Sequence, residues 1–114
     1  DKDADALALL RAERAKITEP GIAELVDIRI ARLLLITGKP ADAQKELAKL
    51  TNPGYSQVVE ELRGDIAVAQ GQRDEARKHY ETALAKLDEA APTRPLLELK
   101  LIDVGGQPPA KPET

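Results

Sequence analysis

The chain has 114 residues, 42% of them apolar, and a net charge of -3 from 17 basic and 20 acidic side chains. That length holds one domain at most, and its interspersed charges exclude the clustered Lys and Arg of a nucleic-acid footprint. There is no Cys, Met, Phe or Trp, which excludes disulfides, thiolate catalysis and cysteine zinc sites and leaves Leu, Ile, Val and Ala to form a core suited to closely packed helices.

Along the chain, residues 4–16, ADALALLRAERAK, read as a helix with Ala8, Ala12 and Ala15 along one side. Residues Thr18 to Gly21 break it. From Leu25 to Ile36 only Asp27, Arg29 and Arg32 are strongly polar. A helix apolar almost all round must be covered on several sides. It is either a structural core helix or one whose free stripe lines a groove for a partner. Gly38 ends it, and Pro40 suits the first turn of the next helix. The cluster TNPG, Thr51 to Gly54, is a turn. The next helix places Val58, Val59, Leu62, Ile66 and Ala69 on one face, and after Gly71 another does so with Ala76, Tyr80, Ala83, Leu84 and Leu87. Thr93 can cap a short helix holding Leu96, Leu97, Leu99 and Leu101. The alternation LELKL is also strand-like, but a helix closing the exposed end of the array is preferred. From Gly105 the Pro-rich GGQPPAKPET reads as disordered. Its PAKP spacing, Pro109 to Pro112, also fits a PxxP ligand, and the floppy terminus is the preferred reading.

The phrase GQRDEARKHY at Gly71 nearly repeats GKPADAQKEL at Gly38, an offset of 71 − 38 = 33 residues. In that register Ala31 meets Gly64, Ala43 meets Ala76, Leu47 meets Tyr80 and Leu50 meets Ala83. A recurring interval of this size means a recurring structural unit, here a helical hairpin. The small residue lets helix A approach helix B, Gly ends helix A in a left-handed conformation, and Ala sits at the tightest crossing. Leu47 or Tyr80 then wedges between neighbouring hairpins. The expected organisation is helix B of a preceding partial repeat over 1–17, hairpins over 20–52 and 55–90, a capping helix over 94–104 and a disordered tail over 105–114.

The series Gly64, Gly71, Ala76, Tyr80 and Ala83 resembles the tetratricopeptide-repeat pattern, with Ala31, Gly38, Ala43, Leu47 and Leu50 as a looser copy. That resemblance implies an all-α fold of helical hairpins stacked as a short right-handed solenoid. A closer resemblance runs from about Ala4 to Gly105. LVDIRIARLLLITGKPADAQKEL, VVEELRGDIAVAQGQRDEARKHYETAL and LLELKLIDVG look like the carboxy-terminal part of the YfgM-type proteins, ancillary subunits of the SecYEG translocon. ELRGDIAVAQGQRDEAR is the most specific piece. The resemblance implies a periplasmic repeat domain carried by one amino-terminal transmembrane helix and acting with a periplasmic chaperone. No run here approaches the roughly 18 apolar residues of such a span. The chain begins at Asp1 rather than Met, so it is read as a processed or excised piece with room for an upstream anchor.

Catalytic constellations are weak. His79, the only histidine, is either a base or a partly exposed helix residue, and the second is favoured. Glu61 and Asp65, one turn apart, could share a metal or a proton, but without a third ligand they read as a solvated face. No Gly-rich phosphate loop is present. No catalytic, cofactor-binding or metal-binding residue is therefore assigned, and no enzyme is expected. The groove of a repeat array would take Ile28, Arg32 and Leu35 from one helix A and Glu61, Asp65 and Val68 from the next. These are i, i+4, i+7 sets sharing a face, and Arg32 and Asp65 are placed to pair. An apolar floor with mixed charges suits an extended or helical peptide. The expected protein is a non-enzymatic scaffold for translocon subunits, a periplasmic chaperone or nascent chains. It does not bind nucleic acid and meets the membrane only through an anchor. The amino-terminal helix, lacking its helix A, is a place for self-association. An adaptor in cytosolic complex assembly or outer-membrane biogenesis is the alternative, and an enzyme whose site lies outside this stretch is a third class.

Overall fold

Asp1 opens the first helix, α1 (Lys2–Lys16), by accepting the Asp3 amide on its side chain at 2.9 Å. Asp3 and Asp5 lie in its first turn and Arg14 and Lys16 in its last, the charge order that the helix dipole favours. The computed structural model describes residues 1–109. Among them every regular element is helical: α2 (Pro20–Ile36), α3 (Pro40–Leu47), a 3-10 turn (Pro53–Tyr55), α4 (Ser56–Ala69), α5 (Arg73–Lys86) and α6 (Arg94–Asp103). They gather into two compact units, Asp1–Tyr55 and the chain from Ser56 onward.

In the first unit α2 packs against α3 and α1 packs on α2. Pro20 and Pro40 start α2 and α3, where a missing amide hydrogen costs nothing. Ala23, Ile28, Ile30, Ala31, Leu34, Ala43 and Leu47 are buried. α3 ends at Leu47, six residues earlier in its own course than α5, whose 14 residues reach Lys86. The reason is local. Lys49, Leu50, Thr51 and Asn52 lead into Pro53, whose ring disfavours a helical conformation in the residue before it, whereas α5 continues through Thr82-Ala83-Leu84-Ala85-Lys86. Glu24 on α2 holds the released segment, accepting the Thr51 amide at 2.9 Å and the Asn52 amide at 3.3 Å. Tyr55 donates its hydroxyl to the Gly21 carbonyl at 2.8 Å and so belongs to this unit. The hairpin expected from residue 55 begins as a helix at Ser56.

In the second unit α4 and α5 form the hairpin and α6 packs on α5. The core joins Ala67, Ala76, Tyr80, Ala83, Leu84, Leu97, Leu101 and Val104. The α4 face differs from the expected one by one position, since Ala67 is buried and Ala69 exposed. The Tyr80 ring lies directly on Gly64, where an added methyl would overlap its Cε1 and Cδ1 atoms. Tyr80 therefore fills the crossing within its own hairpin and also shares a buried cluster with Leu97 and Leu101 of α6. The first copy has Ala31 and Leu47 at those two positions, a slightly larger residue opposite a smaller one. α6 is a helix and not a strand, but Thr93 at its start makes no side-chain capping bond.

One helix ending occurs three times. Gly38, Gly71 and Gly105 adopt φ of 82°, 72° and 88°. Each lies in a Schellman turn, in which the glycine amide and the amide after it bond back to the helix. The second bonds are Lys39 to Leu34 at 2.8 Å, Gln72 to Ala67 at 2.8 Å and Gly106 to Leu101 at 2.9 Å. α6 thus ends as the two A helices do, and it stands as a third helix A as well as a cap. Gly105 to Pro109, read from composition as the start of a disordered tail, are placed: Gly106 packs on Leu101 and Arg77, and Gln107 and Pro109 line a cleft of about 240 Å³ with Glu81, Leu84, Ala85 and Leu101. The rest of that expected tail and most of the PAKP stretch lie outside the described residues.

Candidate protein-interaction surface

α2 offers its outer side chains because its two acids are consumed elsewhere. Asp27 points inward and is buried. Its Oδ1 accepts Arg14 Nε from α1 at 3.0 Å. Glu46 on α3, also buried, takes Arg11 at 2.8 Å and Lys49 at 3.2 Å. α1 has no buried residue of its own, so these two bridges are its principal polar ties to the unit. Each carboxylate has left water and each arginine has kept part of its hydration, a geometry in which losing the arginine costs more than the pair itself contributes. Glu24, as described, is taken by Thr51 and Asn52.

What remains exposed on α2 between its ends is Ile22, Leu25, Arg29, Arg32 and Ile36. The expected stripe is only partly open. Ile28 is 3% exposed, Leu35 is half-buried and Arg32 is free to solvent. Ile28 therefore supports the face from beneath and is not a contact residue, a correction set by its place among the core side chains. Arg29 and Arg32 enter no ion pair or side-chain hydrogen bond among the described residues.

On α4, Glu61 and Asp65 are half-buried and Val68 is 50% exposed. Lys100 of α6 reaches both acids, at 2.8 Å to Glu61 and 3.1 Å to Asp65. Asp65 also accepts the Tyr80 hydroxyl at 2.6 Å, and Glu61 accepts Gln57 at 3.3 Å. The network ties α4, α5 and α6 together. Burial and the Asp65 carboxylate push the Tyr80 hydroxyl far above its ordinary value. For Lys100, burial works against the charge, but the hydrogen bond to Glu61 and the neighbouring carboxylates outweigh it and raise its pKa. Asp65, expected to pair with Arg32, has its two oxygens engaged by Tyr80 and Lys100. Lys100 is absent from the expected surface, although the third glycine, 105 − 71 = 34 residues after the second, signals another helix A ahead of it.

His79 sits on α5 with Nδ1 2.8 Å from Glu60 Oε2, and Glu60 also holds Arg63 at 3.1 Å. This is a side-chain tie between the two helices of the hairpin. Among the described residues no group of three His, Asp or Glu side chains could hold a metal ion. Among the same residues no helix is long and apolar enough to cross a membrane.

A family model described as tetratricopeptide repeat-like domain matches residues 1–106. No curated protein matches the chain. No solved structure matches it either.

Proposed function

Because the chain belongs to the tetratricopeptide repeat-like family, we propose that it is a non-enzymatic scaffold, and that it serves as the periplasmic repeat domain of an inner-membrane protein linking the Sec translocon to periplasmic chaperones. The match over residues 1–106 is the observation that carries the scaffold reading, since repeats of this kind mediate protein–protein contacts. The finer assignment is supported by the resemblance of ELRGDIAVAQGQRDEAR and its flanks to the YfgM-type proteins. Partners meet the A helices through Arg32 and Leu35 in one unit and through Val68 in the other, with Ile28 as support in the first and the Glu61 and Asp65 network with Lys100 and Tyr80 as support in the second.

Photo-reactive residues at positions 32 and 68, with controls at the exposed helix B positions 45 and 78, test this in cells. Adducts with a translocon subunit or a periplasmic chaperone at 32 and 68, and none at 45 and 78, are expected. Adducts only with cytosolic or outer-membrane assembly proteins would replace the finer reading with the adaptor alternative. Equal labelling at all four positions would remove the groove assignment.

Self-association through α1 is part of the same proposal. Leu9 is 64% exposed there, and Ala8, Ala12 and Ala15 are exposed beside it. Sedimentation velocity from micromolar to millimolar chain should show a rising weight-average mass that L9E abolishes. A concentration-independent monomer would end that part.

A further inference from the structure

We propose that the exposed face of α2 is a docking seam for an acidic amphipathic α-helix of a partner protein, with Arg29 and Arg32 pairing to its carboxylates and Ile22, Leu25 and Ile36 gripping its apolar residues. The inference rests on the protein-binding reading above and adds the chemistry of the partner.

The spacing points to a helix. Ile22, Leu25, Arg29, Arg32 and Ile36 succeed one another at intervals of three, four, three and four. That is the seam along which two α-helices pack side by side. An extended strand would instead ask for pockets at alternate residues along its own path. From Ile22 to Ile36 the seam runs for about 21 Å at the helical rise of about 1.5 Å per residue. A partner helix of about four turns would cover it.

Charge sets the partner's sequence. Two guanidinium groups three residues apart on one helix repel one another, and α2 supplies neither with an acid. Glu24 is held by the Thr51 and Asn52 amides, and Asp27 faces inward to Arg14. Arg29 and Arg32 are therefore the unpaired cations of an otherwise apolar line. The matching helix has leucine-like residues towards both ends and two Asp or Glu one turn apart between them, so that each guanidinium fork meets a carboxylate. A lipid surface fits less well: the seam is one side chain wide, has only two cations, and belongs to a chain of net charge -3, which an anionic bilayer repels.

The probe is a fluorescein-labelled synthetic 18-residue helix with Leu at the outer seam positions and Glu at the two central ones. It is titrated into the 114-residue chain by anisotropy at low salt. Saturable binding is expected, weakened about tenfold or more in R29E/R32E. A second peptide with Lys in place of both Glu should recover the affinity with that variant and bind the parent chain poorly. Circular dichroism should show both proteins equally helical. No saturable binding, or equal binding by R29E/R32E, overturns the proposal. Binding to phosphatidylglycerol vesicles that depends on the two arginines, without binding to the peptide, also overturns it in favour of a lipid surface. The scaffold reading fails separately. If a photo-reactive residue at position 68 still captures the assigned partners while the peptide does not bind, only the seam falls. If positions 32 and 68 both lose their adducts, the scaffold falls with it.

Discussion

Replacing Gly64 with alanine tests the packing of the second hairpin at its tightest point. In an open helix the change would favour folding by up to about 1 kcal/mol, because glycine carries the larger backbone entropy. Here the new methyl overlaps two carbons of the Tyr80 ring. The ring is 3% exposed, and its hydroxyl is fixed to Asp65 at 2.6 Å, so it cannot swing aside without breaking that bond. Overpacking of this kind costs about 1–3 kcal/mol, which outweighs the propensity gain. G64A should therefore lose about 1–2 kcal/mol in urea denaturation followed by far-ultraviolet circular dichroism. The discriminating step is the double variant. Y80L alone loses the phenol bond and leaves a cavity at a cost of about 2–3 kcal/mol, but it restores the leucine found at position 47 of the other copy. In that background G64A reproduces the pairing of Ala31 with Leu47, and the methyl should be neutral or worth a fraction of 1 kcal/mol in favour of folding. The coupling between the two sites is then about 2 kcal/mol. Additive effects would refute the claim that glycine is there to admit the ring.

Three further outcomes are expected. Gly71 has open space where a Cβ would go but a φ of 72°, so G71A should lose about 1–2 kcal/mol through the backbone alone, visible in the same denaturation. Tyr80 is held protonated in the folded state and Lys100 is held charged. Both folded pKa values are raised, so their contribution is full below the unfolded values near pH 10 and is lost as pH rises beyond them. Tyrosinate absorbance from Tyr80 should therefore appear only together with loss of helicity, and Y80F should flatten the alkaline decline. In the first unit R14Q leaves buried Asp27 without its cation and should cost about 1–3 kcal/mol, with hydrogen exchange rising first in α1.

The hairpins were legible because their determinants are local and repeated. Gly38 and Gly71 announce the helix ends, and the Ala and Tyr spacing sets the crossing. What stayed hidden depends on side chains distant in sequence. Nothing near Asp27 shows that it turns inward, since Arg14 lies thirteen positions earlier, and with Asp27 inside, the exposed line of α2 runs through Arg29 in place of Ile28. Lys100 finds Glu61 and Asp65 across 39 and 35 positions, so two acids that read as a solvated face are half-buried ties. Ala67 and Ala69 are the same residue two places apart, and only the close approach of α5 decides which one is covered. The short α3 was foreshadowed by Pro53, but the periodic Leu50 argued for a longer helix.

Backbone chemical shifts of the chain in solution test the repeated helix–glycine–helix brick most directly. Carbon secondary shifts should be helical over 20–36, 40–47, 56–69, 73–86 and 94–103, interrupted at Gly38, Gly71 and Gly105 by values typical of positive φ. Uninterrupted helical shifts through any of these glycines, or extended shifts over 94–103, would contradict the account.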